Sequence, residues 1–158
     1  MDDHRDLERR VRELERLLPR LIQVGVVSEV FADEKRVRVE IGGRESHKLR
    51  FVTQRAGDDR AWGPPSEGEQ VLVFAPNGDV VAAVVGGSLY QQDFDAPSDD
   101  PDIKRTVYAN GTEVELDKDS GVLRVKHPGA VEVEAEGDVS ITAGGTLSLT
   151  GETVRINE

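Results

Sequence analysis

Residues 123–156 read LRVKHPGAVEVEAEGDVSITAGGTLSLTGETVRI, and they repeat every eight positions. Apolar pairs fall at Leu123/Val125, Val131/Val133, Val139/Ile141 and Leu147/Leu149, then at Val154/Ile156 one position early. Gly129, Gly137 and Gly145 occupy the seventh place of successive units. A short strand with one apolar face therefore alternates with a turn that glycine permits.

Each unit can bury little by itself. Two apolar side chains at about 1.5–3 kcal/mol each do not offset eight ordered backbone residues at about 1–2 kcal/mol each. A single-chain solenoid needs coils long enough to surround a core, and eight residues with one small turn encircle nothing. Several copies wound about a common axis remove the difficulty. Every strand then has neighbours for its backbone hydrogen bonds, and the apolar pairs share a dry interior. The repeat implies an intertwined oligomer.

Composition fits a rod or an assembly part. The 158 residues are 37% hydrophobic and only 4% aromatic, thin for a large private core. No stretch approaches the ~20 apolar residues of a membrane span, and the charged start Met1 to Arg10 lacks the apolar region of a signal peptide, so folding in a cytoplasm is expected. Without cysteine, neither disulfides nor thiol chemistry is available. A formal net charge of −11 argues against phosphate binding, because nucleic-acid affinity comes largely from Lys and Arg. Between Asp93 and Asp102 five aspartates stand beside Pro97 and Pro101, a composition suited to an extended link.

Upstream, Leu7, Val11, Leu14, Leu18 and Leu21 alternate steps of four and three, a heptad stripe, with Glu8/Arg12 and Arg9/Glu13 at ion-pair spacing. The pattern predicts a short amphipathic helix that Pro19 ends or kinks near Leu18. A helix of this length is marginal alone, so it packs on a neighbour or bundles with its copies. Strand signals follow at Val24–Phe31 through Val24, Val26 and Val30, at Arg36–Ile41, at Lys48–Thr53, at Val71–Phe74 and at Val80–Val85. Pro76-Asn77-Gly78-Asp79 is a hairpin signal, and Gly42-Gly43 and Gly86-Gly87-Ser88 are expected to be turns. Five strands in about seventy residues suit a small barrel. The lone Trp62 is expected to anchor its own proline-rich loop, since it lacks the aromatic series of a nucleic-acid platform.

Candidate chemistry is sparse. His4, His47 and His127 make no recognisable ligand spacing, and His127 is expected to face solvent from a turn. Glu132, Glu134 and Glu136 alternate with the apolar positions and should point outward. No catalytic, cofactor-binding or metal-binding residue is expected.

The run Trp62-Gly63-Pro64-Pro65-Ser66-Glu67-Gly68-Glu69-Gln70-Val71-Leu72-Val73, then Pro76, Gly78, Asp79 and Val84-Val85-Gly86-Gly87-Ser88-Leu89-Tyr90, resembles the phage baseplate assembly protein V family, the central spike of contractile tails. Gly25-Val26-Val27 with Val37-Arg38-Val39 resembles the opening of the same domain. Asn110-Gly111-Thr112 with Val114 and Leu116 resembles the start of the family's spike. The resemblance implies a mostly β chain: an N-terminal amphipathic helix (1–22), an OB-fold barrel (23–92), an acidic linker (93–106) and a triple-stranded β-helix of three intertwined chains (107–158). Its trimer core would be Val114, Leu116, Leu123, Val125, Val131, Val133, Val139, Ile141, Leu147, Leu149, Val154 and Ile156.

By the same resemblance the chain is a structural homotrimeric needle in a virion or injection-particle baseplate, assembled in the bacterial host cytoplasm and driven into the target envelope. Trp62, Pro64, Pro65, Asn77 and Gly78 would contact the hub, and the helix would reach into hub or tube proteins. Val154, Ile156, Asn157 and Glu158 would meet a separate PAAR-repeat tip protein. Two features depart from some relatives: only the short linker stands where a lysozyme domain can lie, and no paired histidines for an apical iron close the sequence. The rival readings are an OB-fold binding module for oligonucleotide or saccharide with a trimerisation tail, and an envelope-degrading enzyme.

Overall fold

The computed structural model describes residues 2–156. The chain divides into two compact units, the first ending at Ala96 and the second beginning at Pro97.

The first unit opens with helix α1, Asp2–Leu21. Pro19 neither ends nor interrupts it, contrary to expectation. Proline in the last turn deletes a single intrahelical bond, and the end is held from outside, since the Leu21 carbonyl accepts from the Ala75 amide at 2.9 Å. Arg12 pairs with Glu8 at 3.9 Å as spaced, but Arg9 turns back to Asp6 at 2.6 Å instead of reaching Glu13.

Six strands follow: β1 Ile22–Phe31, β2 Arg36–Ile41, β3 Arg44–Glu45, β4 Leu49–Phe51, β5 Gln70–Phe74 and β6 Val84–Leu89. β1 pairs with both β2 and β5, so the order β1-β5-β6-β4-β2 returns to β1 and closes a five-stranded barrel. All these pairings are antiparallel except β4–β6, which is parallel through Arg50/Val84 and Phe51/Val85. β3 folds back on β2 across Gly42 and Gly43, whose φ of 58° and 77° make the expected turn. The interior is filled by Val27, Val37, Val39, Leu49, Val71, Val73, Ala75, Ala83 and Val85. The topology is OB-like.

Three expectations within the barrel are corrected. In β1 the inward residues are Gly25 and Val27, whereas Val24 and Val26 are exposed. The reason is packing against β2: a Cβ on Gly25 would come within 2.7 Å of the Glu40 carbonyl oxygen and would also meet the Val39 and Ile41 side chains. Glycine thus keeps an inward place that the valine pattern concealed. Second, the strand expected at Val80–Val85 begins only at Val84. The Asp79 carboxylate takes the Val81 amide at 2.9 Å, extending the turn after Pro76–Gly78, and Val80 and Val81 stay exposed. Third, Gly86-Gly87-Ser88 is strand and not turn, because Gly86 lets the Phe74 ring lie directly over the backbone.

The acidic stretch is also less extended than expected. Gln91 bridges to Phe94, the Gln91 side-chain Nε2 donates to the Gly68 carbonyl at 2.6 Å, and Phe94 lies over Gly68. Its single aromatic side chain ties the start of this acidic run back to the barrel.

The second unit is a three-stranded antiparallel meander, β7 Ile103–Val107, β8 Glu113–Asp117 and β9 Val122–Lys126. β7 occupies the last residues of the expected linker. Gly111 and Gly121, at φ of 83° and 69°, make its turns.

Candidate assembly interface

The meander has two unlike faces. On β8, Glu113, Glu115 and Asp117 alternate with Val114 and Leu116. Register places Val114 opposite Val125 and Leu116 opposite Leu123, so these four apolar residues share one face. All four are exposed, by 37–67%.

The opposite face carries an ionic ladder centred on one buried carboxylate. Glu115 is only 8% exposed. One of its oxygens accepts from Arg105, at 2.7 Å from Nε, and the other from Arg124 Nη1 at 2.7 Å. The Arg105 hydrogen bonds, then those of Arg124, hold its carboxyl below the usual glutamate range against the opposing effect of burial. At the β8–β9 turn the Ser120 hydroxyl donates to Asp117 at 2.6 Å, with the Ser120 and Asp119 amides adding bonds that lower its carboxyl too. The two arginines thus shelter the Glu115 carboxylate, while the apolar residues of the other face stand exposed.

Beyond β9 the repeat continues, among the described residues, outside any strand ladder. Bends occur at 128–129, 136–137, 144–145 and 152, preserving the eight-residue step, and no strand is assigned between 131 and 156. Val131, Val133, Val139, Ile141, Leu147, Leu149, Val154 and Ile156 are all more than half exposed. Isolated apolar residues on a surface are ordinary, but a row of this length at fixed spacing is not.

The other expected contact residues are held by separate elements. Trp62 is exposed, its ring centroid 6.0 Å from that of Phe51, while the Thr53 hydroxyl donates to the Ala61 carbonyl at 2.8 Å to fix the loop. Pro64 and Pro65 are half-buried. Asn77 is exposed with φ of 55°, and Gly78 is covered by Leu17 of α1. Val154 and Ile156 are open, whereas Asn157 and Glu158 lie outside the described residues. His127 is not the solvent-facing side chain expected: it is half-buried, and its Nδ1 lies 2.7 Å from the Thr112 hydroxyl. Among the described residues no three His, Cys, Asp or Glu side chains gather in a metal-binding arrangement, and no helix is long and apolar enough to cross a membrane.

Residues 23–90 match the family described as the type VI secretion system/phage-baseplate injector OB domain. The Spike protein of Escherichia phage P2 is 34% identical over 115 residues, covering 73% of this chain and 54% of the relative. The chain belongs to the phage baseplate spike family. It spans about half the length of that relative. For a spike-family barrel, sequence reasoning overlooked one surface, the outer side of β1 and β5. Ile22 pairs with Phe74 and Val24 with Leu72 there, and Ile22, Val24, Val26 and Phe74 are exposed. The available signal was the alternation through Val24 and Val26 itself: with Gly25 and Val27 taking the core side, that apolar row is left on the outer face.

Proposed function

We propose that this chain is the structural central spike of a contractile-tail baseplate, a homotrimeric needle whose terminal segment is a triple-stranded β-helix. The observation that carries the reading is the exposed apolar row that runs from Val114 and Leu116 on β8 through the eight-residue repeat from Leu123 to Ile156. Three copies braided about one axis remove that row from water and supply each strand with backbone partners. The exposed outer face of β1 and β5 supports the same assembly state, since barrels set side by side would cover it.

The role is mechanical. Interleaved strands leave no free edge, so force along the axis loads many hydrogen bonds together instead of peeling one strand. On this reading the barrel is the collar that seats the needle on a hub, with Trp62 and the Asn77 turn exposed for contact. Val154 and Ile156 form an apolar surface for a separate PAAR-repeat tip protein. The particle forms in the bacterial host cytoplasm, and the needle penetrates the target envelope on contraction. Likeness to a spike protein supports a non-enzymatic role.

The test is complementation of particles lacking this chain. Val139→Asp places three charges in the proposed axis and should abolish infection or killing, whereas Glu134→Lys should retain it. Equal effects of the two substitutions would contradict the assigned inward face.

A further inference from the structure

Helix α1 carries two apolar surfaces with different fates. Leu17 lies against the Asn77–Gly78 turn, so closely that a Cβ on Gly78 would stand 2.7 Å from it. Leu7, Val11, Leu14 and Leu18 remain exposed. Their spacing puts Val11 and Leu18 at a, Leu7 and Leu14 at d, and Leu17 at g of a heptad. The seam is therefore the face the barrel of the same chain leaves open.

Charge placement selects what covers it. Arg10 stands at g and Glu15 at e. In a parallel, in-register bundle, a g residue meets the e residue five positions on in the next helix, so Arg10 meets Glu15 with opposite sign at the centre of the seam, while Asp3 meets Glu8 with like sign at its start. In an antiparallel pair e meets e, and Glu8 would face Glu15 with like sign. Among the described residues neither Arg10 nor Glu15 has an ion-pair partner in its own chain, while Glu8 is engaged by His4 at 3.2 Å and Arg12 at 3.9 Å. Arg5, Glu13, Arg16 and Arg20 are likewise unpaired among the described residues, but of the unpaired charges Arg10 and Glu15 are the two that flank the seam with opposite sign.

We propose that α1 forms a parallel bundle with the α1 helices of the other two copies, sealing Leu7, Val11, Leu14 and Leu18 on the three-fold axis. The inference rests on the trimeric reading given above. A helix of twenty residues is marginal alone, but attachment to assembled barrels raises its effective concentration to the range where short seams hold. Leu17, gripping the turn of its own barrel, fixes the rotation at which each helix presents its seam.

The chain contains no cysteine, so one introduced thiol reports on its surroundings without background. Full-length Leu14→Cys, mildly oxidised, should convert up to two of every three chains to a covalent dimer on a non-reducing gel. Arg16→Cys, on the outer f position, should remain uncrosslinked. Arg10→Glu should lower the Leu14→Cys yield several-fold, and adding Glu15→Arg should restore it. Absence of the crosslink in a sample whose light-scattering mass is that of three copies would overturn the bundle and leave the seam to a hub protein. A single-copy mass would remove the trimer and this inference together.

Discussion

The barrel and the terminal repeat use one device, apolar residues at alternate positions of short strands, and arrive at opposite states. Val37, Val39 and Val71 are completely buried, while Val131 and Val133 are 74% and 81% exposed. Their side chains are the same; what differs is whether the chain returns to itself. In the barrel β1 pairs on both edges and the ring closes, so each strand has neighbours on two sides. In the repeat each bend carries the chain onward by eight residues, and among the described residues no strand is paired there. Burial follows from topology before composition.

The sharpest way to break this contrast is to place one charge in each region. Val39→Asp buries an unpaired carboxylate in a closed core and should cost at least about 4 kcal/mol, enough to unfold a small domain. Loss of the barrel's cooperative thermal transition would register it. Leu147→Asp should leave that transition in place, because Leu147 is half exposed in the single chain, and should instead abolish assembly, read as a fall in light-scattering mass. Finding both losses in both variants would erase the distinction.

A smaller effect is expected at Gly25→Ala. The added methyl meets the Glu40 carbonyl and the Val39 side chain, an overpacking cost of about 1–3 kcal/mol measurable as a lower denaturation midpoint. Gly137→Ala, with open space around it, should leave that midpoint unchanged.

The smallest effect concerns Glu115. Its carboxyl is held below the ordinary range in the folded chain, so its contribution to stability is complete above that range and disappears as pH falls through the lowered value. Melting of the second unit should weaken with acid over that window, and Glu115→Gln should remove that part of the dependence. An unchanged pH profile in the variant would show that the Arg105–Glu115–Arg124 ladder does not act as described.

Much of this was legible in the residues because local chemistry decided it. Arg36–Ile41 is the strand its alternation predicts, and Gly42-Gly43 is its turn. Legibility failed where tertiary contact outranked pattern. Gly25 faces inward because β2 presses on it, and Gly86 stays in a strand because Phe74 covers it. α1 continues through Pro19 because Ala75 caps its end. For the interface, the apolar row from Leu123 onward was visible as periodicity, whereas the ionic ladder was not, since Arg105, Glu115 and Arg124 meet only through cross-strand register. The outer row of β1 was visible as Val24 and Val26, but its direction was not legible, because the inward place belongs to Gly25, which has no side chain to reveal it.

The account stands or falls on the claim that residues 131–156 gain their backbone partners only from other copies. Amide hydrogen exchange across that segment, measured on the purified full chain alongside its light-scattering mass, tests this directly. Strong protection in a species three times the mass of one chain is the expected result. Equal protection in a species of single-chain mass would contradict it.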